Sequence, residues 1–214
     1  YIPATDTWIE IDTPALPDVP VYDSAVCAYD GNIYIFGGRV TGNTTGISSY
    51  NIVYTYYPST NTWSKTHGME ARYGAQAITI NDKIYICGGK NYSNGTDIYE
   101  NTVEAFEPES NQWSNCSGMP YETAFAAIAG SQTVYMVGGA SNLGNVNTVQ
   151  EYIPSANRWL TWTGPNYPRN SHGLALTDLG LYVFGGETTE VEFTPIQTLE
   201  GASEFLHFGE SIIN

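Results

Sequence analysis

The sequence predicts an all-β domain of repeated four-stranded antiparallel sheets, and three observations carry that prediction. Apolar, strand-like stretches end in a glycine pair four times, an aromatic-to-tryptophan phrase recurs between them, and both repeat at about fifty residues. The pairs are Gly37-Gly38, Gly88-Gly89, Gly138-Gly139 and Gly185-Gly186, with successive first glycines 51, 50 and 47 positions apart. The second phrase runs from Tyr56 to Trp63, Phe106 to Trp113 and Tyr152 to Trp159, and the chain opens with it, Tyr1 to Trp8. In every copy the aromatic and the tryptophan are seven apart. A period of this length marks a supersecondary unit that buries its faces only against its neighbours, as in a propeller or solenoid.

Each element of one repeat has a reason. Residues 74–80 read as a first, innermost strand, and Asn81-Asp82-Lys83 turns the chain into a second strand ending at Gly88. Both faces of that second strand are apolar, as expected where a sheet is sandwiched between neighbours. The glycine pair permits positive φ and close backbone approach. A third strand is expected near 101–107, the Pro108 segment turns it, and Trp113 opens the fourth.

The four glycine pairs in register with Trp8, Trp63, Trp113 and Trp159 resemble the Kelch family, over nearly the whole chain. The resemblance implies a β-propeller with four-stranded blades. Residues 1–195 are expected to form four blades, with residues 1–11 supplying the closing strand of the last one, the alternative being that the four blades belong to a larger propeller. That last repeat has a third strand at 190–195 but Glu200 where a tryptophan belongs. Residues 196–214 match no repeat and are expected as a tail that packs on the ring or mediates self-association. The glycines and tryptophans themselves are expected as core.

Alternating strand direction then separates two faces. The first-to-second and third-to-fourth turns, short and alike, lie on one. The other carries loops that differ in every repeat, 39–50, 90–101, 140–147 and 187–190, together with the starts of the innermost strands. Individual loops on a rigid repeating scaffold are where recognition resides. Sixteen positions before each first glycine stand Val21, Arg72, Glu122 and Arg169, followed by Tyr22, Tyr73, Thr123 and Asn170. Two of four arginines in an acidic chain thus occupy equivalent sites. The resemblance implies a role for them, because intracellular Kelch substrate adaptors grip acidic peptides with arginines at this position, and Arg pairs carboxylates in bidentate fashion. Tyr22, Arg72, Tyr73, Glu122, Arg169, Asn170 and His172 are therefore the candidate partner-binding residues.

Composition narrows the partners. Asp and Glu total 22 against 7 Lys and Arg, a net charge of −15, which repels phosphate backbones and anionic lipid. No apolar run is long enough for a membrane span. A protein partner is expected first, a glycan second. No catalytic residue, metal ligand or cofactor is expected: the three histidines show no regular spacing, and Cys27, Cys87 and Cys116 fall on strand positions, without disulfide or zinc spacing. The Tyr/His/Cys-Tyr constellation of Kelch copper oxidases cannot be assembled. Kelch sugar mutarotases and epimerases need only a few side chains at the channel mouth, and form the enzymatic alternative, with Glu122 and His172 as its candidates. A structural unit of an extracellular assembly is the third class. Sequons stand at Asn43, Asn91, Asn94 and Asn115. Their number is what this composition yields by chance, but three lie in the variable loops. With the scarcity of lysine they point to a secreted or cell-surface chain, the cytoplasm being the alternative.

Overall fold

The computed structural model describes residues 1–18, 20–42, 46–188 and 197–199. The first repeat contains β1 (Ala25–Tyr29) and β2 (Asn32–Phe36), then a hairpin of β3 (Arg39–Gly42) and β4 (Gly46–Ser49), then β5 (Ile52–Tyr57) and β6 (Thr62–His67). The second repeats this with β7 (Gln76–Ile80), β8 (Lys83–Cys87), hairpin β9 (Lys90–Ser93) and β10 (Thr96–Tyr99), β11 (Val103–Glu107) and β12 (Gln112–Asn115). The third has β13 (Ala127–Gly130), β14 (Val134–Val137), hairpin β15 (Ala140–Ser141) and β16 (Gly144–Asn145), β17 (Thr148–Ile153) and β18 (Arg158–Thr163). The last has β19 (Arg169–Asn170), β20 (Gly173–Thr177), β21 (Gly180–Phe184), β22 (Glu187–Thr188) and β23 (Gln197–Leu199).

The first three sheets are antiparallel four-stranded meanders in sequence order, with orders β1-β2-β5-β6, β7-β8-β11-β12 and β13-β14-β17-β18. The innermost strands β1, β7, β13 and β20 pack against one another in succession, the radial arrangement of a propeller. Three buried clusters lie between consecutive blades. Tyr34, Phe36 and Val53 meet Ala77, Ile84, Ile86 and Phe106; Tyr85, Cys87 and Val103 meet Ala126, Val134, Met136 and Tyr152; Tyr135, Val137 and Val149 meet Leu181 and Val183. Both faces of β8 and β14 are consumed in this way, which is why those strands are apolar throughout, whereas β2 and β21 pack against one neighbouring blade each and leave Ile33 and Phe184 exposed.

The tryptophans clamp neighbouring repeats. Trp113 stacks on Phe106 at 4.7 Å and meets Phe36 of the first blade edge-on at 6.1 Å. Trp159 Nε1 donates to Ser117 O at 2.8 Å, and Trp63 Nε1 to Pro14 O at 2.9 Å, each reaching the segment that precedes its own blade. The Pro-x-x-Asn turns follow from backbone conformation: Asn61, Asn111 and Asn157 sit at φ 53°, 51° and 46°, which Asn tolerates well. Asn61 and Asn157 also accept the hydroxyls of Tyr56 and Tyr152, both at 2.8 Å.

The N-terminal residues are placed otherwise than expected, and part of the last repeat lies outside the described residues. Residues 1–11 pair with no strand of the last sheet among the described residues; that sheet's order is β20-β21-β23. Instead Tyr1–Trp8 folds back on itself through an Ile2–Thr7 bridge, Asp6 at φ 49° and a Tyr1–Trp8 ring contact of 5.1 Å. This reproduces locally the hairpin tip that carries Tyr56 and Trp63, 4.9 Å apart. The following residues run along β6, where Asn61 Nδ2 donates to Asp12 O at 3.0 Å and Tyr54 OH to Asp18 at 3.2 Å. Trp8 is left 82% exposed. In the last sheet the strand paired with β21 is Gln197–Leu199, with Leu199 opposite Leu181; the stretch 190–195 expected there lies outside the described residues, as does 201–214.

Candidate functional site

The glycine pairs build the site by stitching each blade to the next. The second glycine's N–H donates to the first-strand lead of the following blade: Gly38 to Arg72 O (2.8 Å), Gly89 to Thr123 O (2.9 Å) and Gly139 to Arg169 O (2.7 Å). A Cβ on Gly88, at φ +62°, would stand 2.3 Å from Thr123 O, so no other residue fits. Directly after each pair the chain bridges back to its own blade's first-strand lead, in the pairs Tyr22–Arg39, Tyr73–Lys90, Ala124–Ala140 and Asn170–Glu187. The hairpins β3–β4, β9–β10 and β15–β16 and the start of β22 thereby stand on the same face as the strand starts.

This pattern corrects the alignment of the third repeat. Thr123, not Glu122, is the equivalent of Arg72 and Arg169, and Ala124 is the equivalent of Tyr73. Ala127 pairs with Val137 ten residues on, whereas Ala25–Phe36, Gln76–Cys87 and Gly173–Phe184 are eleven apart. One residue fewer in that hairpin defeats a count made backward from the glycines.

The two arginines are also placed otherwise than expected. Arg72 and Arg169 are 1% and 0% exposed and turn into their own blades. Arg72 Nη2 pairs with Glu104 Oε2 at 2.5 Å, and Nη1 donates to Gly88 O and Thr102 O at 3.2 and 3.3 Å. Arg169 Nη1 donates to Gly185 O at 2.9 Å, while its Nη2 has no hydrogen-bond partner among the described residues. Both guanidiniums are enclosed within their blades and present no exposed edge to a peptide carboxylate. His172 is buried between Gly138 and Gly186. Burial, reinforced by Arg169, pushes its pKa down to about 4. Tyr73 is buried with its hydroxyl donated to Asp97; burial and then that carboxylate push the phenol's pKa well up. Tyr22, Glu122 and Asn170 remain at the surface, where Glu122 accepts from Asn142 at 3.4 Å and Asn170 donates to Asn145 at 2.8 Å.

A third layer, unnoticed in the sequence, stands on the same face directly after the strand leads. Asp23, Gly74, Phe125 and Ser171, at φ 56°, 64°, 55° and 53°, form a chain of backbone hydrogen bonds from blade to blade. Gly74 N donates to Asp23 O (2.7 Å), Phe125 N to Gly74 O (2.8 Å) and Ser171 N to Phe125 O (2.8 Å). Around it gathers a cluster of charge and aromatic surface. Arg39 pairs with Asp23 at 2.6 Å and lies 4.9 Å over the Tyr73 ring. Lys90 Nζ lies 4.4 Å over Tyr99, 5.4 Å over Phe125 and 3.7 Å from Asp97. Two of the chain's seven cations are thus concentrated at one spot of an acidic protein. A partly exposed cation flanked by aromatic rings and carboxylates can hold an anion, stack an apolar face and orient hydroxyls.

Of the sequon asparagines, Asn94 is exposed at the β9–β10 turn with φ 51°, Asn115 is exposed at the end of β12, and Asn91 is half-buried and accepts from Ser49 at 3.0 Å. Asn43 lies outside the described residues. Cys87 is buried, and Cys27 and Cys116 pack against the inter-blade clusters; all three are free thiols. Among the described residues no cluster of His, Cys, Asp and Glu is placed to hold a metal, and no helix is long and apolar enough to cross a membrane.

Comparison with known proteins agrees with this architecture. Residues 2–124 match the family described as the KLHDC2/KLHL20/DRC7 Kelch-repeats domain. Curated relatives include the N-acetylneuraminate epimerase of Haemophilus influenzae (strain PittEE), 33% identical over 100 residues, or 46% of this chain and 26% of that protein. The protein of that name from Escherichia coli (strain K12) is 33% identical over 116 residues, 48% of this chain and 31% of its own length. The one from Shigella flexneri serotype 5b is 30% identical over 115 residues, with the same coverage of 48% and 31%. The aligned stretch therefore spans less than a third of these relatives. The solved structure of YjhT superposes with a TM-score of 0.72 at 22% identity, covering 81% of this chain and 61% of that one, and shares the fold. With its repeat register, its glycine stitches and a family match over more than half its length, the chain belongs to the Kelch-repeat family.

Proposed function

We propose that this chain contributes a carbohydrate site at the mouth of its propeller and takes part in epimerising an acidic sugar of the N-acetylneuraminate type. The observation that supports this most is the cluster of Arg39, Lys90, Tyr73, Asp97, Asp23 and Phe125 around the left-handed chain of residues. Two cations suit a carboxylate, the rings suit a sugar's apolar face, and the carboxylates suit its hydroxyls. Inverting a stereocentre needs groups that take and return a proton. Asp97, side chain 34% exposed and oriented by the Tyr73 hydroxyl, is the candidate. The likeness to proteins named N-acetylneuraminate epimerase supports the same reading.

The test is NMR-monitored equilibration of N-acetylneuraminate with the wild-type chain and with Asp97→Asn. Faster equilibration that falls at least tenfold (~1.4 kcal/mol) in the variant supports the proposal. No acceleration and no binding refutes it. A protein partner is the second reading, favoured by the rigid platform that Ser49 makes of two hairpins through Asn91 Oδ1 (3.0 Å) and Tyr92 N (2.9 Å). Partner capture lost on substitution of Ser49, with sugar chemistry absent, would favour it instead.

A further inference from the structure

Ten non-glycine residues of the described chain have positive φ, and eight of them are Asn or Asp, whose short polar side chains tolerate the left-handed region. Ser171 is the ninth. Phe125, at φ 55°, is the tenth and the one large apolar side chain in that conformation. A bulky residue there is strained and persists only where its surroundings hold it. The holding groups are visible: Phe125 N–H is tied to Gly74 O and its carbonyl to Ser171 N–H, each at 2.8 Å. The backbone conformation thus belongs to the blade-to-blade chain. The phenyl ring does not, since Asp, Gly and Ser fill the same position in the other blades.

The ring has a defined seat. It lies across Gly74, where a Cβ would come within 2.9 Å of its atoms, and it meets Tyr73 edge-on at 6.3 Å. It remains partly exposed, and the Lys90 ammonium stands 5.4 Å from its centroid. A partly exposed aromatic ring with an ammonium over it therefore stands on the face that carries the variable loops.

We infer that Phe125 is a stacking platform for the ligand and that Lys90 holds the ligand's anionic group beside it. The pair selects a sugar acid with an apolar face or acyl methyl next to its carboxylate, over a neutral sugar of the same size. This rests on the carbohydrate reading above. The ring is kept at a cost in backbone strain that binding, not folding, explains.

The experiment compares wild type, Phe125→Asn and Lys90→Gln by calorimetric titration with N-acetylneuraminate and with the neutral sugar N-acetylmannosamine, alongside thermal melts. Asn keeps the left-handed backbone and removes the ring. Phe125→Asn is expected to hold its Tm or raise it by about 2–4 °C while weakening N-acetylneuraminate about tenfold. Lys90→Gln is expected to abolish the preference for the acid over the neutral sugar. Binding by Phe125→Asn within about twofold of wild type, or a fall in Tm beyond about 5 °C, overturns the inference and makes the ring structural. Wild type that binds neither sugar overturns the carbohydrate reading and this assignment with it. Wild type that binds while both variants bind equally well overturns the assignment alone.

Discussion

Replacing the buried His172 by Gln removes a titrating imidazole and leaves an amide of similar reach, and the resulting change in stability has a pH dependence whose sign is set by burial. Enclosure between Gly138 and Gly186, with Arg169 nearby, holds its pKa at about 4, against about 6.5 in an unfolded chain. Between those values the unfolded chain takes up a proton that the folded chain refuses. Stability from this residue is therefore complete above about pH 6.5 and is lost progressively as pH falls toward 4. From pH 7 to pH 5 the linkage amounts to roughly 2 kcal/mol, or about 4–8 °C in Tm for a chain of this size. Glu100 and Glu104, raised chiefly by burial, act in the opposite sense, their contribution being lost as pH rises through their folded pKa values. Their effect is common to both proteins and cancels in the difference. Melts and urea titrations of wild type and His172→Gln at pH 5, 6 and 7 should show wild type losing stability faster on acidification. Parallel curves would refute a neutral, enclosed imidazole.

Two further expectations follow from the same geometry. Arg72→Met strands the Glu104 carboxylate in a buried site and should cost about 3–5 kcal/mol in urea denaturation, while Arg72→Met with Glu104→Leu should recover most of the loss; equal losses in both would contradict the buried pairing of the two. Gly88→Ala drives a methyl to 2.3 Å from Thr123 O at φ +62° and should cost about 2–4 kcal/mol. The control Gly95→Ala, at φ +82° with nothing within 4 Å, should cost only the conformational penalty of about 1 kcal/mol, so similar losses would deny the inter-blade stitch.

Much of the fold was legible in the residues because each repeat states its own local rules. Ile84-Tyr85-Ile86-Cys87 must be buried on both faces, Gly88-Gly89 must turn with positive φ, and Trp113 must find an apolar seat; none of these depends on knowing the neighbour's identity. The site was less legible. Spacing from the glycine pairs identifies Arg72 and Arg169 as equivalent, yet their direction depends on Glu104 and on the Gly88 and Gly185 carbonyls, groups 16 to 32 residues away. Glu122 was misaligned because a hairpin one residue short in the third blade shifts the count, and pairing from Ala127 to Val137 reveals it only in three dimensions. Residues 1–11 pair with no described strand of the last sheet, and Tyr1–Trp8 closes its own hairpin tip locally.

The sequence by itself determined the repeat, the blade and the separation of a uniform face from a variable one, because these rest on periodicity and on turn chemistry a few residues long. Only the tertiary structure decided what that variable face presents. The left-handed chain Asp23–Gly74–Phe125–Ser171 is assembled from four blades, one residue from each. The cations at its rim, Arg39 and Lys90, come from the loops after two different glycine pairs. Nothing local marks them as neighbours: they meet because the innermost strands of consecutive blades pack side by side and bring the loops after successive glycine pairs together.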